Sequence, residues 1–167
     1  MYYFVLFCLT LFLDQLSKIV VLKELVLISP VKIFPFLNLV LVFNTGVSFS
    51  LFSSDSPYHR YLLAFISLVI VCVLFFWFLK EKNKITKYAL ILTLSGAVGN
   101  IIDRLRVGAV VDFIDVFAGK YHWPAFNLAD SFICIGVALL FFSFYTESQK
   151  TKLQHSLEKK EVKGESK

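Results

Sequence analysis

The chain has 167 residues, of which 57% are hydrophobic and only 17% are charged. Soluble domains carry about 25% charged residues, so this composition excludes an ordinary soluble domain and indicates an integral membrane protein of one domain. The formal net charge is +5. Because most of the lysines cluster beside apolar runs and no nucleic-acid-binding motif accompanies them, the charge predicts membrane topology and no nucleic-acid partner.

Four apolar runs are long enough to cross a bilayer as helices, which takes about 20 residues. The first run has neither the basic start nor the small-residue cleavage site of a secretory signal peptide, so we expect it to be retained. The predicted fold is therefore an all-α membrane protein with four transmembrane helices, contained within residues 1–146. The predicted spans are residues 2–22, 61–79, 85–102 and 128–145.

Between the first two spans, residues 31–52 form short apolar runs that Pro35 and the Asn44-Thr45-Gly46 turn interrupt. Runs of this kind predict β-strands. Strand edges cannot lie exposed in lipid, so we expect a small β cradle at the outer membrane surface. The alternative is an ordinary hydrophobic loop that packs on the helix bundle.

Lysines predict the orientation of the spans. Four lie in KEKNKITK at residues 80–87, and six more follow Tyr145. The positive-inside rule places both groups, and with an even number of spans both termini, in the cytoplasm. Residues 23–60 and 103–127 then face outward. The polar, low-complexity residues 147–167 predict a disordered cytoplasmic tail that contacts membrane lipids.

Two ionisable residues lie inside the first span. Asp14 and Lys18 are four residues apart, so both lie on one face of the helix, and we expect a structural ion pair. Ionisable groups within a span are costly and therefore require such a partner or a function.

Most of the other polar residues near the spans collect at one level, the outer membrane boundary. Asn100 and Arg104 lie at the outer end of the third span, Asp112 follows in an outer loop, and Asn127 and Asp130 begin the fourth span as a helix cap and a first-turn carboxylate. Each residue has a structural explanation by itself. Their convergence on one layer indicates a functional site.

Carboxylates are the chemical groups that this layer offers. The sequence contains no serine with a plausible histidine partner and no metal-binding motif, so we expect no metal or cofactor. Two neighbouring aspartates cannot both ionise easily, and such a pair can activate water and protonate a carbonyl oxygen. Residue chemistry alone leaves the pair open among four candidates. These are Asp103, Asp112, Asp115 and Asp130.

Five sequence blocks, in order along almost the whole chain, resemble the prolipoprotein signal peptidase family, the type II signal peptidases of bacteria. The resemblance implies an aspartic endopeptidase of the inner membrane with its active site at the outer face. Such an enzyme cleaves the signal peptide of prolipoproteins just before a diacylglyceryl-modified cysteine. The family's catalytic pair falls on Asp112 and Asp130. The blocks are DQLSK (14–18), FNTGVSFS (43–50), GAVGNIIDR (96–104), VVDFID (110–115) and FNLADS (126–131).

The same resemblance assigns supporting roles and partners. Asp14 and Lys18 are expected to be structural, and Asp103 to brace Arg104 or a neighbouring loop, whereas Asp115 is left as a loop charge. We expect a monomer that binds lipid-modified prolipoproteins, membrane lipids and globomycin-type inhibitors. The residues expected to bind substrate or support the catalytic pair are Asn44, Gly96, Asn100, Asp103, Arg104 and Asn127.

A different class of protein remains possible at this point, namely a small four-span ion or proton-coupled transporter. A transporter is expected to carry its polar groups near the membrane midplane or in both leaflets. In this sequence they collect at the outer end, and only Asp14 and Lys18 lie deeper. An intramembrane aspartyl protease of the presenilin type would carry a GxGD block within a span, which this sequence lacks.

Overall fold

The computed structural model describes residues 1–25, 30–46 and 58–164, with side chains up to residue 154. Within these residues, four helices are long and apolar enough to span a membrane, which confirms the predicted fold class. The predicted β-rich segment is described only as far as Gly46, so residues 47–52 lie outside the described part. In chain order the elements are α1 (Tyr2–Glu24), β1 (Val31–Phe34), β2 (Leu37–Asn44), α2 (His59–Lys80), α3 (Lys84–Arg106), β3 (Val110–Ala118), β4 (Tyr121–His122) and α4 (Leu128–Gly164).

Helix α3 is the centre of the bundle and packs against the other three helices. It is the most buried of the four spans. Small residues allow this close packing, as is common between membrane helices. A Cβ atom added at Gly96 would meet the backbone oxygen of Ala129 and the side chain of Ile133 on α4. A glycine at this position is therefore required for the close approach of α3 and α4.

Hydroxyl groups connect α3 to its neighbours inside the bundle. Thr10 on α1 donates a hydrogen bond to Ser95 over 2.8 Å, and Thr86 shares one with Ser143 on α4 over 2.9 Å. Interhelical bonds of this kind add modestly to the packing of membrane helices. They hold α3 in register with α1 and α4.

The four strands form one antiparallel sheet in the order β1-β2-β3-β4. The predicted β cradle is therefore present, but half of it comes from a region predicted as an outer loop. Val110, Val111, Phe113 and Ile114 are β-branched or aromatic residues, which favour a strand that pairs with β2. Gly108, with φ of +91°, makes the turn from α3 into β3 at a backbone conformation that suits glycine.

An apolar cluster packs the sheet against the helices. Its buried members are Val21, Leu25 and Phe113, and partly buried side chains from β2, β3 and α4 complete it. The cluster joins the C-terminal end of α1 to the centre of β3. The sheet is thus attached at the end of the bundle where α1 and α3 finish and α4 begins.

Helix α4 continues well beyond the predicted span. Its backbone is helical to Gly164, whereas the composition predicted a disordered tail from residue 147. Residues 147–163 contain neither proline nor glycine and are rich in lysine, glutamate, glutamine and leucine, which are good helix formers. With no stop signal after the span, the helix extends into the polar segment.

Candidate active site

Asp112 lies on β3 and is almost completely buried, with 2% of its surface exposed. One carboxylate oxygen accepts a hydrogen bond from the Asn44 amide over 3.0 Å, and the other accepts one from the Asn127 amide over 2.7 Å. Burial, followed by the charge of Asp130, raises the pKa of Asp112 to about 6. Asp112 is thus held by neutral donors and can take up a proton near neutral pH.

Asp130 lies in the first turn of α4, where the helix dipole favours a carboxylate. The backbone N–H of Asn127 donates to Asp130 over 3.3 Å, and the Asn127 side-chain oxygen accepts from the backbone N–H of Asp130 over 2.9 Å. This reciprocal arrangement is that of a capping box. The predicted cap at Asn127 is confirmed, and it aligns Asp130. The second oxygen of Asp130 accepts from the Asn100 amide over 2.9 Å.

Asn127 connects the two aspartates, which we call the carboxyl pair (Asp112 and Asp130). The residue is fully buried, and its amide nitrogen also approaches the side-chain oxygen of Asn100 at 3.3 Å. The sequence-predicted residues Asn44, Asn100 and Asn127 are therefore brought together around the pair. Two carboxyl groups in such mutual influence favour a shared proton, which is the requirement for general acid–base chemistry.

A second group of charges adjoins this network, because Lys18 bonds Asn100. We call this group the buried ion cluster (Asp14, Lys18 and Asp103). The Lys18 ammonium lies 2.9 Å from Asp14 and 2.8 Å from Asp103. The side chains of all three residues are fully buried. The predicted ion pair between Asp14 and Lys18 is confirmed, and Asp103 joins it as a second anion.

Of the two expected roles for Asp103, bracing Arg104 or bracing a neighbouring loop, the structure shows the second. Asp103 bonds the Lys18 ammonium and accepts from the backbone N–H of Val111, so it braces β3. Arg104 instead donates to the backbone oxygens of Gly46 over 3.0 Å and Asn100 over 3.4 Å. The side chains of adjacent helical residues point in different directions, and this separates the two charges.

Two other predicted positions lie outside the hydrogen-bond network. Gly96 lies at the contact of α3 with α4, where it supports the site through packing. Asp115 is not a loop charge, because it is a buried residue of β3. It bonds the Asn38 amide over 2.9 Å and the His122 ring over 2.8 Å. Within the described residues, its partners belong to the sheet.

Sequence reasoning missed Gln15, Asn38 and His122. The Gln15 amide donates to the Asp14 and Asp103 carboxylates over 3.1 and 3.3 Å, and so joins the buried ion cluster. A polar residue in an apolar span was the signal that could have revealed it. The side chains of Asn38 and His122 both bond Asp115, and the register of β2, β3 and β4 brings them to it. The sequence did not reveal this register.

The described residues contain no group of three histidine, cysteine, aspartate or glutamate side chains arranged to hold a metal ion. What the network offers chemically is one buried carboxyl group, Asp112, and one partly buried carboxyl group, Asp130, both held by neutral amides, with the Arg104 guanidinium nearby. A pair of this kind can serve as acid and base in a hydrolysis reaction.

Comparison with known proteins places this arrangement in a family. A family model described as Signal peptidase (SPase) II matches residues 6–146. The chain is 46% identical over 132 residues to the lipoprotein signal peptidase of Paraburkholderia phymatum, covering 77% of this chain and 78% of that protein. It is 40% identical over 139 residues to the lipoprotein signal peptidase of Polynucleobacter necessarius, covering 83% and 85%.

Two solved structures have the same fold. Both are described as bacterial membrane enzymes studied by the in meso method, one at 2.3 Å and one at 1.9 Å resolution. The first has a TM-score of 0.81 at 28% identity and covers 89% of this chain and 90% of that one. The second has a TM-score of 0.75 at 29% identity and covers 86% and 92%. The family model and the relatives extend over most of the chain, and this chain belongs to the signal peptidase II family.

Proposed function

We propose that this chain is an aspartic endopeptidase that cleaves the signal peptide of bacterial prolipoproteins just before the diacylglyceryl-modified cysteine. Membership of the signal peptidase II family supports a peptidase with prolipoprotein substrates. The observation that carries the aspartic assignment is the network in which Asn127 bonds both Asp112 and Asp130. No side-chain cation forms an ion pair with either of them among the described residues, which leaves the carboxyl pair free to exchange a proton.

The proposed reaction uses the carboxyl pair as one acid and one base. The ionised member removes a proton from water, whose oxygen attacks the scissile carbonyl carbon while the protonated member donates to the carbonyl oxygen. Collapse of the tetrahedral diol breaks the C–N bond: the leaving nitrogen takes the proton gained from water, and a hydroxyl of the diol returns its proton to the other carboxylate, which restores the pair. Because the two groups titrate together, the single proton belongs to the pair.

The amides and the arginine around the pair have distinct proposed roles. Asn44 and Asn127 hold Asp112, and Asn100 holds Asp130, so that both carboxyl groups keep the orientation that the reaction needs. Arg104 is proposed to contact the bound peptide, since its guanidinium bonds the backbone at Gly46 beside the network. Gly96 and Asp103 support these groups from the α3–α4 contact and from beneath β3.

The proposed location is the bacterial inner membrane, with both termini in the cytoplasm and the carboxyl pair at the outer face. The lysines of residues 80–87 lie at the end of α2, the start of α3 and the connection between them, at the end of the bundle opposite the sheet and the carboxyl pair. The scissile bond follows a membrane-embedded signal helix and precedes a lipidated cysteine, so it also lies at the surface. This placement at one end of the bundle supports a peptidase over a transporter. A monomer that contacts membrane lipids completes the proposal.

Purified full-length protein and a diacylglyceryl-modified precursor peptide provide the decisive test. We expect cleavage before the modified cysteine, inhibition by globomycin, and no loss of activity with chelators or with serine-directed acylating reagents. Activity that a chelator abolishes and zinc restores would overturn the aspartic assignment. Absence of cleavage by a folded protein, together with proton-coupled ion flux in proteoliposomes, would favour the transporter.

Reporter fusions test the orientation separately. A reporter after Lys167 or near Asn83 is expected in the cytoplasm, and one near Ser54, which lies outside the described residues, is expected on the outer side. A C-terminal reporter on the outer side would reverse the proposed topology and move the carboxyl pair to the cytoplasmic face.

A further inference from the structure

Lys18 is a fully buried lysine whose ammonium group has three partners, although one carboxylate would be enough to neutralise its charge. Its ammonium lies 2.9 Å from Asp14, 2.8 Å from Asp103 and 3.0 Å from the side-chain oxygen of Asn100. An ammonium group has three N–H donors, so these three contacts use all of them. The third partner is the neutral side chain of Asn100 on α3. Because Asn100 also bonds Asp130, a single residue separates Lys18 from the carboxyl pair.

The two acidic partners of Lys18 each hold the backbone beside the carboxyl pair. Asp14 accepts a hydrogen bond over 2.9 Å from the N–H of Ala129, the residue before Asp130. Asp103 accepts one over 3.2 Å from the N–H of Val111, the residue before the other member of the pair. One ammonium therefore connects the starts of two different elements, α4 and β3, that carry the two carboxyl groups.

The neutral partner, Asn100, holds a carboxyl group directly, and Lys18 determines which way its amide points. Since the ammonium can only donate, the amide oxygen must face Lys18 and the amide nitrogen must face Asp130, where it donates over 2.9 Å. With the amide reversed, its nitrogen would face another donor and its oxygen would face a carboxylate. The lysine therefore favours the amide orientation in which Asn100 donates to Asp130.

We propose that Lys18 is a positioning residue of the peptidase reaction, which holds both members of the carboxyl pair through Asp14, Asp103 and Asn100. The inference rests on the proposed function and deepens it, because it gives the buried ion cluster a role in catalysis. Lys18 acts through these three residues and does not touch the reacting atoms. Its removal should therefore misplace the carboxyl pair while the peptide-binding surface remains.

Lys18 also acts on the carboxyl pair through its charge. Its positive charge lowers the pKa of Asp112, against the larger effects of burial and of Asp130. Among the described charged groups, Asp14 and Asp103 contact Lys18 directly. Asp112 lies within reach of the charges of Lys18, Asp130 and Arg104. Loss of the ammonium leaves Arg104 as the remaining cation in this set, so the pKa of Asp112 should rise.

Replacement of the lysine by methionine, which keeps the length of the chain but removes the donors, tests the proposal. We expect kcat of Lys18→Met to fall about 100-fold, as for a misplacement of about 1 Å, while KM stays within about threefold. The pH profile of kcat/KM should move to higher pH by at least about half a unit, since a positive charge beside the carboxyl pair is lost. A purely structural lysine would lower the melting temperature without moving the pH profile.

Thr10→Val is the matched control, because Thr10 is also a buried polar residue of α1 and bonds α3, but its partner is Ser95. This variant should lower the melting temperature and leave the pH profile of the wild type. If Lys18→Met does not fold, the double variant Asp14→Asn/Lys18→Met, compared with Asp14→Asn alone, removes the cation and one anion together. The same loss of kcat and the same shift in pH profile are expected in that comparison.

Asn100→Ala completes the design as a double-mutant cycle. Because both residues act on Asp130, the loss of kcat in Lys18→Met/Asn100→Ala should be smaller than the product of the two single losses. Wild-type kcat in a folded Lys18→Met protein, an unmoved pH profile, or single losses that multiply would each overturn the proposal. These outcomes leave the proposed function intact if Asp112→Asn is inactive. Cleavage by Asp112→Asn would instead overturn the proposed function itself.

Discussion

The buried ion cluster and the carboxyl pair contain the same kind of residue in very different surroundings. Asp14 and Asp103 both contact the ammonium of Lys18, so each carboxylate of the cluster has a cation as its partner. The carboxyl pair receives only neutral side-chain donors among the described residues. Carboxylates bonded to a cation hold geometry, whereas carboxyl groups held by neutral amides can take up and release a proton. This difference is why we propose a catalytic role for the carboxyl pair and a positioning role for the buried ion cluster.

The largest expected effect is the loss of cleavage when either member of the carboxyl pair is changed. Asp112→Asn and Asp130→Asn each remove one site for the shared proton and should lower kcat on the order of 10⁴-fold or more. Because the pair works as a unit, the double variant should be hardly worse than either single variant. The measurement is single-turnover cleavage of the lipidated peptide by folded, purified variants. Substantial cleavage by either variant would contradict the assignment.

In the buried ion cluster, the corresponding change should affect stability more than chemistry. Asp14→Asn removes one of two anions around Lys18 and weakens its charge-assisted bonds, so we expect a loss of about 1.5 to 3 kcal/mol in stability, as for hydrogen bonds to charged groups. Turnover should remain measurable, because Asn can still accept from Ala129 and Lys18 keeps Asp103. Thermal unfolding and cleavage are measured on the same preparation. A stable but fully inactive Asp14→Asn protein would move Asp14 into the catalytic group.

The carboxyl pair should also reveal itself in the pH dependence of stability. The pKa of Asp112 rises from 3.8 to about 6 on folding, so the folded chain binds the proton more tightly than the unfolded chain. This contribution is favourable below about pH 4 and is lost as pH rises through 6, by up to about 3 kcal/mol. Relative to Asp112→Asn, the wild type should therefore lose stability between pH 4 and pH 7. Parallel melting curves for the two proteins across this range would contradict the burial of a titrating Asp112.

The sequence predicted which residues come together at the candidate site better than it predicted the strands and helices that contain them. The spans followed from hydropathy, and the cap at Asn127 followed from residue type and position. The strand that carries Asp112 was missed, because aspartates at positions 112 and 115 interrupt the apolar pattern that predicts a strand. Tertiary pairing with β2 decides that segment, and pairing between distant residues is not visible in local composition.

The connections beneath the site could not be predicted for a similar reason. The spacing of Asp14 and Lys18 predicted their ion pair because both lie on one helix. The contacts of Lys18 with Asp103 and Asn100 depend on how α1 and α3 pack, and hydropathy does not determine a helix rotation. The contact of Asp103 with Lys18, and not with Arg104, has the same origin.

The smallest effect is expected at Asp115, which lies three residues from Asp112 on the same strand. Its carboxylate bonds Asn38 and His122 across the sheet, at 2.9 and 2.8 Å. Asp115→Asn keeps the shape of the side chain and weakens these bonds, so a loss of about 1 kcal/mol in stability is expected. Cleavage should stay close to that of the wild type, since neither partner belongs to the network around the carboxyl pair.

Asp115→Asn is therefore the matched control for Asp112→Asn: both change a buried aspartate of β3 in the same way. The two variants differ only in the network to which the carboxylate belongs, so the ratio of their cleavage rates isolates the carboxyl pair from the general effect of a lost charge in the sheet. The expected ratio, on the order of 10⁴ in favour of Asp115→Asn, follows from the loss of a shared proton site in one variant alone. An inactive Asp115→Asn protein together with an active Asp112→Asn protein would mean that the catalytic aspartate of β3 is Asp115, which bonds His122. Asp115 would then replace Asp112 in the carboxyl pair.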